Sequence, residues 1–155
     1  VFIHNLEESE DKTIEVENLH YASVSMDGNF VVTYGIDSHK LMIKVYQIST
    51  MEVMLDIYCE DMGYQGRIRP PSSYRYHKDE KEGIHYASWS YDQSQLAFAY
   101  GCEVHVYSVA DWSLLYVLKS HTAAVVYVKW APMDQCIESV SCDSTFTLWE
   151  SGTVN

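Results

Sequence analysis

Residues 20–27 read HYASVSMD, and residues 85–92 read HYASWSYD. Six of the eight positions match, 65 residues apart, so the chain repeats itself. Self-similarity at such a period constrains a fold more than any single motif. Each copy has to be one supersecondary unit, and units of this kind bury their apolar faces against one another. A looser third copy, YVKWAPMD at 127–134, can be laid on Tyr86–Asp92 with one residue of slack.

A second landmark follows each copy: IKVY at 43–46, VHVY at 104–107 and FTLW at 146–149. Each alternates with the two-residue period of a strand and ends on an aromatic. Between the landmarks lie FVVTY (30–34), LAFAY (96–100) and CIESV (136–140), preceded by turn residues such as Asp27, Gly28, Asp92, Pro132 and Asp134. MEVMLDIY (51–58) and SLLYVLK (113–119) supply a fourth apolar stretch. The thirteen Tyr, four Trp and four Phe favour strands over helices. Four short antiparallel strands at a spacing of about 40 residues make one propeller blade. Trp89 to Trp130 spans 41 residues and Tyr107 to Trp149 spans 42. The first interval is longer by 24, and the excess falls in 59–81.

The expected fold class is therefore all-β, a β-propeller of four-stranded antiparallel blades, with about three blades in this chain. Residues 1–17 read as the end of a preceding blade, with 13–17 (TIEVE) as its fourth strand. Blades follow at 18–58, 83–119 and 120–155, the last without its fourth strand, and 59–82 is an inserted loop. Such a piece cannot close a ring, and an open end exposes unpaired backbone and an apolar face. The expectation is that the remaining blades come from a missing part of the chain or from another subunit. The first residue, Val1 rather than Met, agrees with a missing N-terminus.

The third unit resembles the WD-repeat (WD40) family. SVSCDSTFTLWE (139–150) carries that family's spacing, four residues from Ser139 to Asp143 and six from Asp143 to Trp149, with His121 before the first strand. The resemblance implies that His121, Ser139, Asp143 and Trp149 form a structural tetrad. Indole N–H, hydroxyl, imidazole and carboxylate can pass hydrogen bonds in a chain, as burial requires. The first unit keeps a partial tetrad, Thr33 and Asp37, but its Asp-to-aromatic gap is nine residues and Tyr46 replaces Trp. The second has Gly101 where Asp belongs and Tyr107 for Trp. The WDxR ending of some ubiquitin-ligase substrate receptors is missing, since Trp149 is followed by Glu150, Ser151 and Gly152.

Other chemistry finds less support. His121, Ser139 and Asp143 match the residue types of a hydrolase triad, but no GxSxG elbow surrounds the serine. No catalytic residue, cofactor or metal is expected: phosphate-binding glycine motifs are absent, and His77, His85 and Cys59 share no ligand spacing. Cys59, Cys102, Cys136 and Cys142 form no CxxC pair and suit an intracellular thiol protein, cytoplasmic or nuclear. The net charge of −12 argues against nucleic acid and anionic membrane as partners and permits a basic one.

Five of the ten basic residues lie in the insert: Arg67, Arg69, Arg75, Lys78 and Lys81, interleaved with Tyr64, Tyr74 and Tyr76. Arg and Tyr are typical binding anchors, so Arg67, Arg69, Tyr74, Arg75 and Tyr76 are candidate partner-binding residues. A solvated loop is the competing reading. The family resemblance places the insert, His39, Lys40 and Cys142 on one face, which the family commonly uses to grip peptides. The expected function is a non-catalytic protein-interaction scaffold within a multiprotein complex. The alternative is a reader of peptides or modified tails on the insert face.

Overall fold

Alternation of apolar and polar residues sets most of the strands in this chain. The computed structural model describes residues 2–4, 11–16, 18–37, 40–59, 85–134 and 136–150. Strands β1 (Phe2–His4) and β2 (Asp11–Thr13) pair with each other. A first four-stranded sheet contains β3 (Leu19–Val24), β4 (Phe30–Asp37), β5 (Lys40–Gln47) and β6 (Val53–Cys59). The second contains β7 (Ala87–Trp89), β8 (Gln95–Tyr100), β9 (Glu103–Ser108) and β10 (Leu114–Lys119). The third has β11 (Val125–Trp130), β12 (Cys136–Ser141) and β13 (Phe146–Glu150). All three are antiparallel meanders in chain order, the topology of propeller blades, and among the described residues they do not close into a ring.

One strand departs from its expected place. Of the stretch 13–17 only Thr13 is in a strand among the described residues; β2 ends there, with His4 paired to Asp11 and Phe2 to Thr13, and residues 14–16 are outside it. Ile14 then turns inward and is buried. The apolar signal of TIEVE came from burial, not from strand pairing.

The second sheet is covered on both sides. Leu96, Ala97, Phe98 and Ala99 of β8 are consecutive and all buried, the pattern of a strand packed on both faces. β13 instead alternates exposed and half-buried residues, with Phe146 and Leu148 on the open side.

The sheets are joined in two different ways. Between the second and third, His85 and Tyr127 form a parallel bridge, and the Val128 N–H donates to the His85 carbonyl at 2.7 Å. The Val125 N–H donates to the Gly101 carbonyl at 2.8 Å. Between the first and second, side chains do the joining. The buried Tyr34 hydroxyl donates to the carbonyls of Tyr86 (3.1 Å) and Ala99 (3.3 Å). Burial pushes the Tyr34 phenol well above its ordinary range, so it stays a neutral donor. The Tyr21 hydroxyl donates to the Ala87 carbonyl at 3.1 Å, and the Trp89 indole to the Ser23 carbonyl at 3.4 Å. Phe30, Trp89 and Trp112 pack as a ring cluster across the same boundary.

In a meander the turn after the first strand and the turn after the third lie at one end. The turn after the second strand lies at the other, with the sheet-to-sheet connection. The parallel bridge between His85, just before β7, and Tyr127 of β11 keeps like turns of the second and third sheets at the same end.

Candidate functional site

The densest polar arrangement is built on the third sheet. Ser139 sits in the middle of β12 and is wholly buried. It pairs with Thr147, and its neighbour two residues earlier, Ile137, pairs with Trp149. That register brings the Trp149 indole N–H to the Ser139 hydroxyl oxygen at 2.9 Å. His121 Nε2 lies 2.8 Å from the same oxygen. His121 Nδ1 lies 2.8 Å from the Thr145 hydroxyl and 3.5 Å from Asp143 Oδ2. The Thr145 hydroxyl in turn donates to Asp143 Oδ1.

The acceptor at the end of this chain sets every proton direction for a neutral ring. An ionised carboxylate can only accept, so the Thr145 hydroxyl spends its proton on Asp143. His121 must then donate to Thr145 from Nδ1, which leaves Nε2 as an acceptor. Ser139 donates to Nε2 and accepts from Trp149. Trp149, Ser139, His121, Thr145 and Asp143 are thus all satisfied in one direction. Asp143 also receives the N–H groups of Thr122 (2.7 Å) and Thr145 (2.9 Å). Burial raises its carboxyl pKa, but these hydrogen bonds and the nearby His121 outweigh burial and hold it well below the usual carboxylate range.

The structure therefore brings His121, Ser139, Asp143 and Trp149 together with a fifth member, Thr145, which the spacing argument passed over. A signal for it stands in the sequence. Asp27, Asp92, Asp111 and Asp143 are each followed two residues later by Asn29, Ser94, Ser113 and Thr145. In each pair an aspartate oxygen accepts the backbone N–H of the second residue, at 3.0, 2.9, 3.2 and 2.9 Å. This is the Asx-turn chemistry of short polar side chains.

The other sheets solve the same position differently. Thr33 occupies the place of Ser139 in β4, and its hydroxyl donates to the Lys44 carbonyl across the ladder at 3.3 Å. The side chain of Asp37 lies outside the described residues. In the second sheet Phe98 takes that place and stacks on Tyr107 with ring centroids 5.3 Å apart. An apolar stack here replaces a hydrogen bond.

The candidate partner-binding residues Arg67, Arg69, Tyr74, Arg75 and Tyr76 lie outside the described residues, as do His39 and His77. Lys40 opens β5, and Cys142 follows β12 with its N–H on the Ala124 carbonyl at 2.9 Å. All four cysteines are free thiols. Among the described residues no group of three or more His, Cys, Asp or Glu could hold a metal ion, and no helix is long and apolar enough to cross a membrane.

No protein-family model matches this sequence, and no curated protein does. Among solved structures it is similar to that of U3-55K and to a crystal structure of RRP9 WD40 repeats. Each superposes with a TM-score of 0.59 at 15% identity, over 86% of this chain and 36% of the other. The chain thus spans about a third of the length of those structures. The shared feature is the fold: three antiparallel sheets with the architecture of WD40 propeller blades.

Proposed function

We propose that this propeller segment is a non-catalytic scaffold that holds other proteins together in a multiprotein assembly inside the cell. The observation that carries this reading is the way Ser139 is used. Its oxygen is wholly buried and accepts from Trp149, and its proton faces His121. A nucleophile needs a reacting atom about 3 Å away, and Ser139 has only protein there. Residues that resemble a triad instead tie the loop at His121 to β12 and β13. We read His121, Ser139, Asp143, Thr145 and Trp149 as a brace, with Thr33 and Asp37 as its reduced form in the first sheet.

The units on this reading are 18–58, 83–119 and 120–155, with 1–17 closing a preceding unit and 59–82 inserted. The remaining blades come from another stretch of chain or another subunit. Partners are proteins or peptides, and the net charge of −12 favours basic ones over nucleic acid or an anionic membrane. Four free thiols support a reducing, intracellular setting.

A second reading, a peptide reader, is favoured by the Arg and Tyr residues of the insert. One experiment separates the two. Arg67, Arg69 and Tyr74 are changed together to Ala, and the mass of the native assembly is measured beside binding of a short acidic or phosphorylated peptide. A scaffold keeps its assembly mass through the triple change. Loss of a saturable peptide complex on the same change would establish the reader and overturn the scaffold.

A further inference from the structure

The three most exposed large apolar residues of the described chain occupy the same turn in three successive sheets. Met133 is 78% exposed, Met26 71% and Tyr91 68%. Each lies in the turn after the first strand of its sheet, and each is followed at once by an aspartate: Asp27, Asp92 and Asp134. Single exposed apolar residues need no explanation, but a row repeated at the spacing of the fold does.

The row stands on a rigid base. The Met26 N–H donates to Gln93 Oε1 at 2.8 Å, while the same Gln93 amide donates to the Ser90 carbonyl at 2.6 Å. One side chain thus locks the first turn to the second. Within the first and second sheets the two turns at this end are also tied. The Ile48 N–H donates to the Asn29 carbonyl at 2.8 Å, and the Val109 N–H to the Ser94 carbonyl at 2.9 Å. Met133 holds a left-handed backbone at φ 66° that a methionine adopts only at a cost. Apolar tips on a pre-ordered platform lose little freedom on docking.

Charge says what would dock. The turns at this end, residues 25–29, 48–52, 90–94, 109–113 and 131–134, contain Asp27, Glu52, Asp92, Asp111 and Asp134 and no Lys, Arg or His. Lys12 reaches the region, and its ammonium donates to the carbonyls of Ile48 (3.3 Å) and Ser49 (2.9 Å). Hydrogen bonds from Ser25 to Asp27, from Ser94 to Asp92 and from Ser113 to Asp111 hold these carboxyls below their ordinary range, so they are charged at neutral pH. The strand ends joined by the insert, with its five basic residues, lie at the opposite end.

We propose that the Met26–Tyr91–Met133 row is a docking surface for a basic amphipathic segment of a partner protein, with apolar side chains on the row and Lys or Arg over the flanking carboxylates. It goes beyond the scaffold reading in naming a surface and a partner chemistry, and it rests on that reading only in taking the partner to be a protein. A labelled synthetic helix of Leu and Lys is titrated into the full chain, with a Leu/Glu helix of equal length as comparator. The Leu/Lys helix is expected to bind saturably, to weaken with salt, and to lose affinity about tenfold or more when Met26, Tyr91 and Met133 are changed together to Ser. Substitution at exposed tips leaves the fold intact, which the thermal transition checks. Equal binding by the triple variant, or equal binding of the Leu/Glu helix, would overturn the proposal. So would a wild-type dimer that the triple change converts to monomer, since the row would then serve a second copy. Loss of assembly mass when Arg67, Arg69 and Tyr74 are changed to Ala, with helix binding to the Met26–Tyr91–Met133 row intact, counts against the scaffold reading alone.

Discussion

Asp143 shows how much one side chain can hold. It accepts from the N–H groups and the hydroxyls of Thr122 and Thr145, and through Thr145 it orients His121. Asp143→Ala leaves these donors unpaired and should destabilise the chain by about 1–3 kcal/mol, read by urea denaturation. An unchanged midpoint would remove the brace. Thr145→Val should cost about 1 kcal/mol, because it cuts the relay while keeping the shape. The pH dependence follows from the direction of the Asp143 shift. Its folded pKa lies below its unfolded one, near 3.9, so its stabilisation is full above that unfolded value and is lost as pH falls through the folded value. The stability gap between wild type and Asp143→Asn should therefore be widest near neutrality and shrink below about pH 4. A gap that widened on acidification would reverse the assignment.

At the scale of the element, alternating strands and apolar runs bounded by turn residues were both legible in the sequence. IKVY, VHVY and FTLW fall within β5, β9 and β13 because period-two alternation acts locally, and FVVTY, LAFAY and CIESV fall within β4, β8 and β12 because turn residues bound them. The strand over 13–17 was misplaced because an inward-turning Ile14 looks the same whether or not its neighbours pair. Thr145 was missed because the tetrad spacing names only four positions, although the repeated Asp-x-polar turn marked it. The stack of Phe98 on Tyr107 was beyond reach, as nothing local tells a substituted hydrogen bond from a lost one. The same contrast makes a prediction. Phe98→Ser would place a hydroxyl where Ser139 stands, but Tyr107 has no indole N–H to offer it. It should cost at least the roughly 3–5 kcal/mol of a large-to-small core change, measured by denaturant.

The three sheets are held by unlike joints, and the third keeps apolar side chains exposed. Phe146 and Leu148 of β13 stand exposed on one face of the third sheet. Such a face invites association. Changing both to Lys should lower the light scattering of the concentrated chain while leaving its thermal transition in place. Persistent scattering would move the sticky surface elsewhere. The joint between the first and second sheets depends on Tyr34, Tyr21 and Trp89. Tyr34→Phe removes the hydroxyl that two carbonyls share, of which the Tyr86 carbonyl keeps the Ala99 N–H at 2.8 Å, and should cost about 1–2 kcal/mol, with faster amide exchange along β8.

The joint between the second and third sheets, by contrast, includes hydrogen bonds donated by the backbone N–H groups of Val125 and Val128. Every residue but proline carries a backbone N–H, so a mutating lineage can hardly erase this seam, whereas it can lose the tyrosine seam one substitution at a time. Divergent descendants of this chain should keep the second and third sheets side by side and differ in how firmly the first is attached.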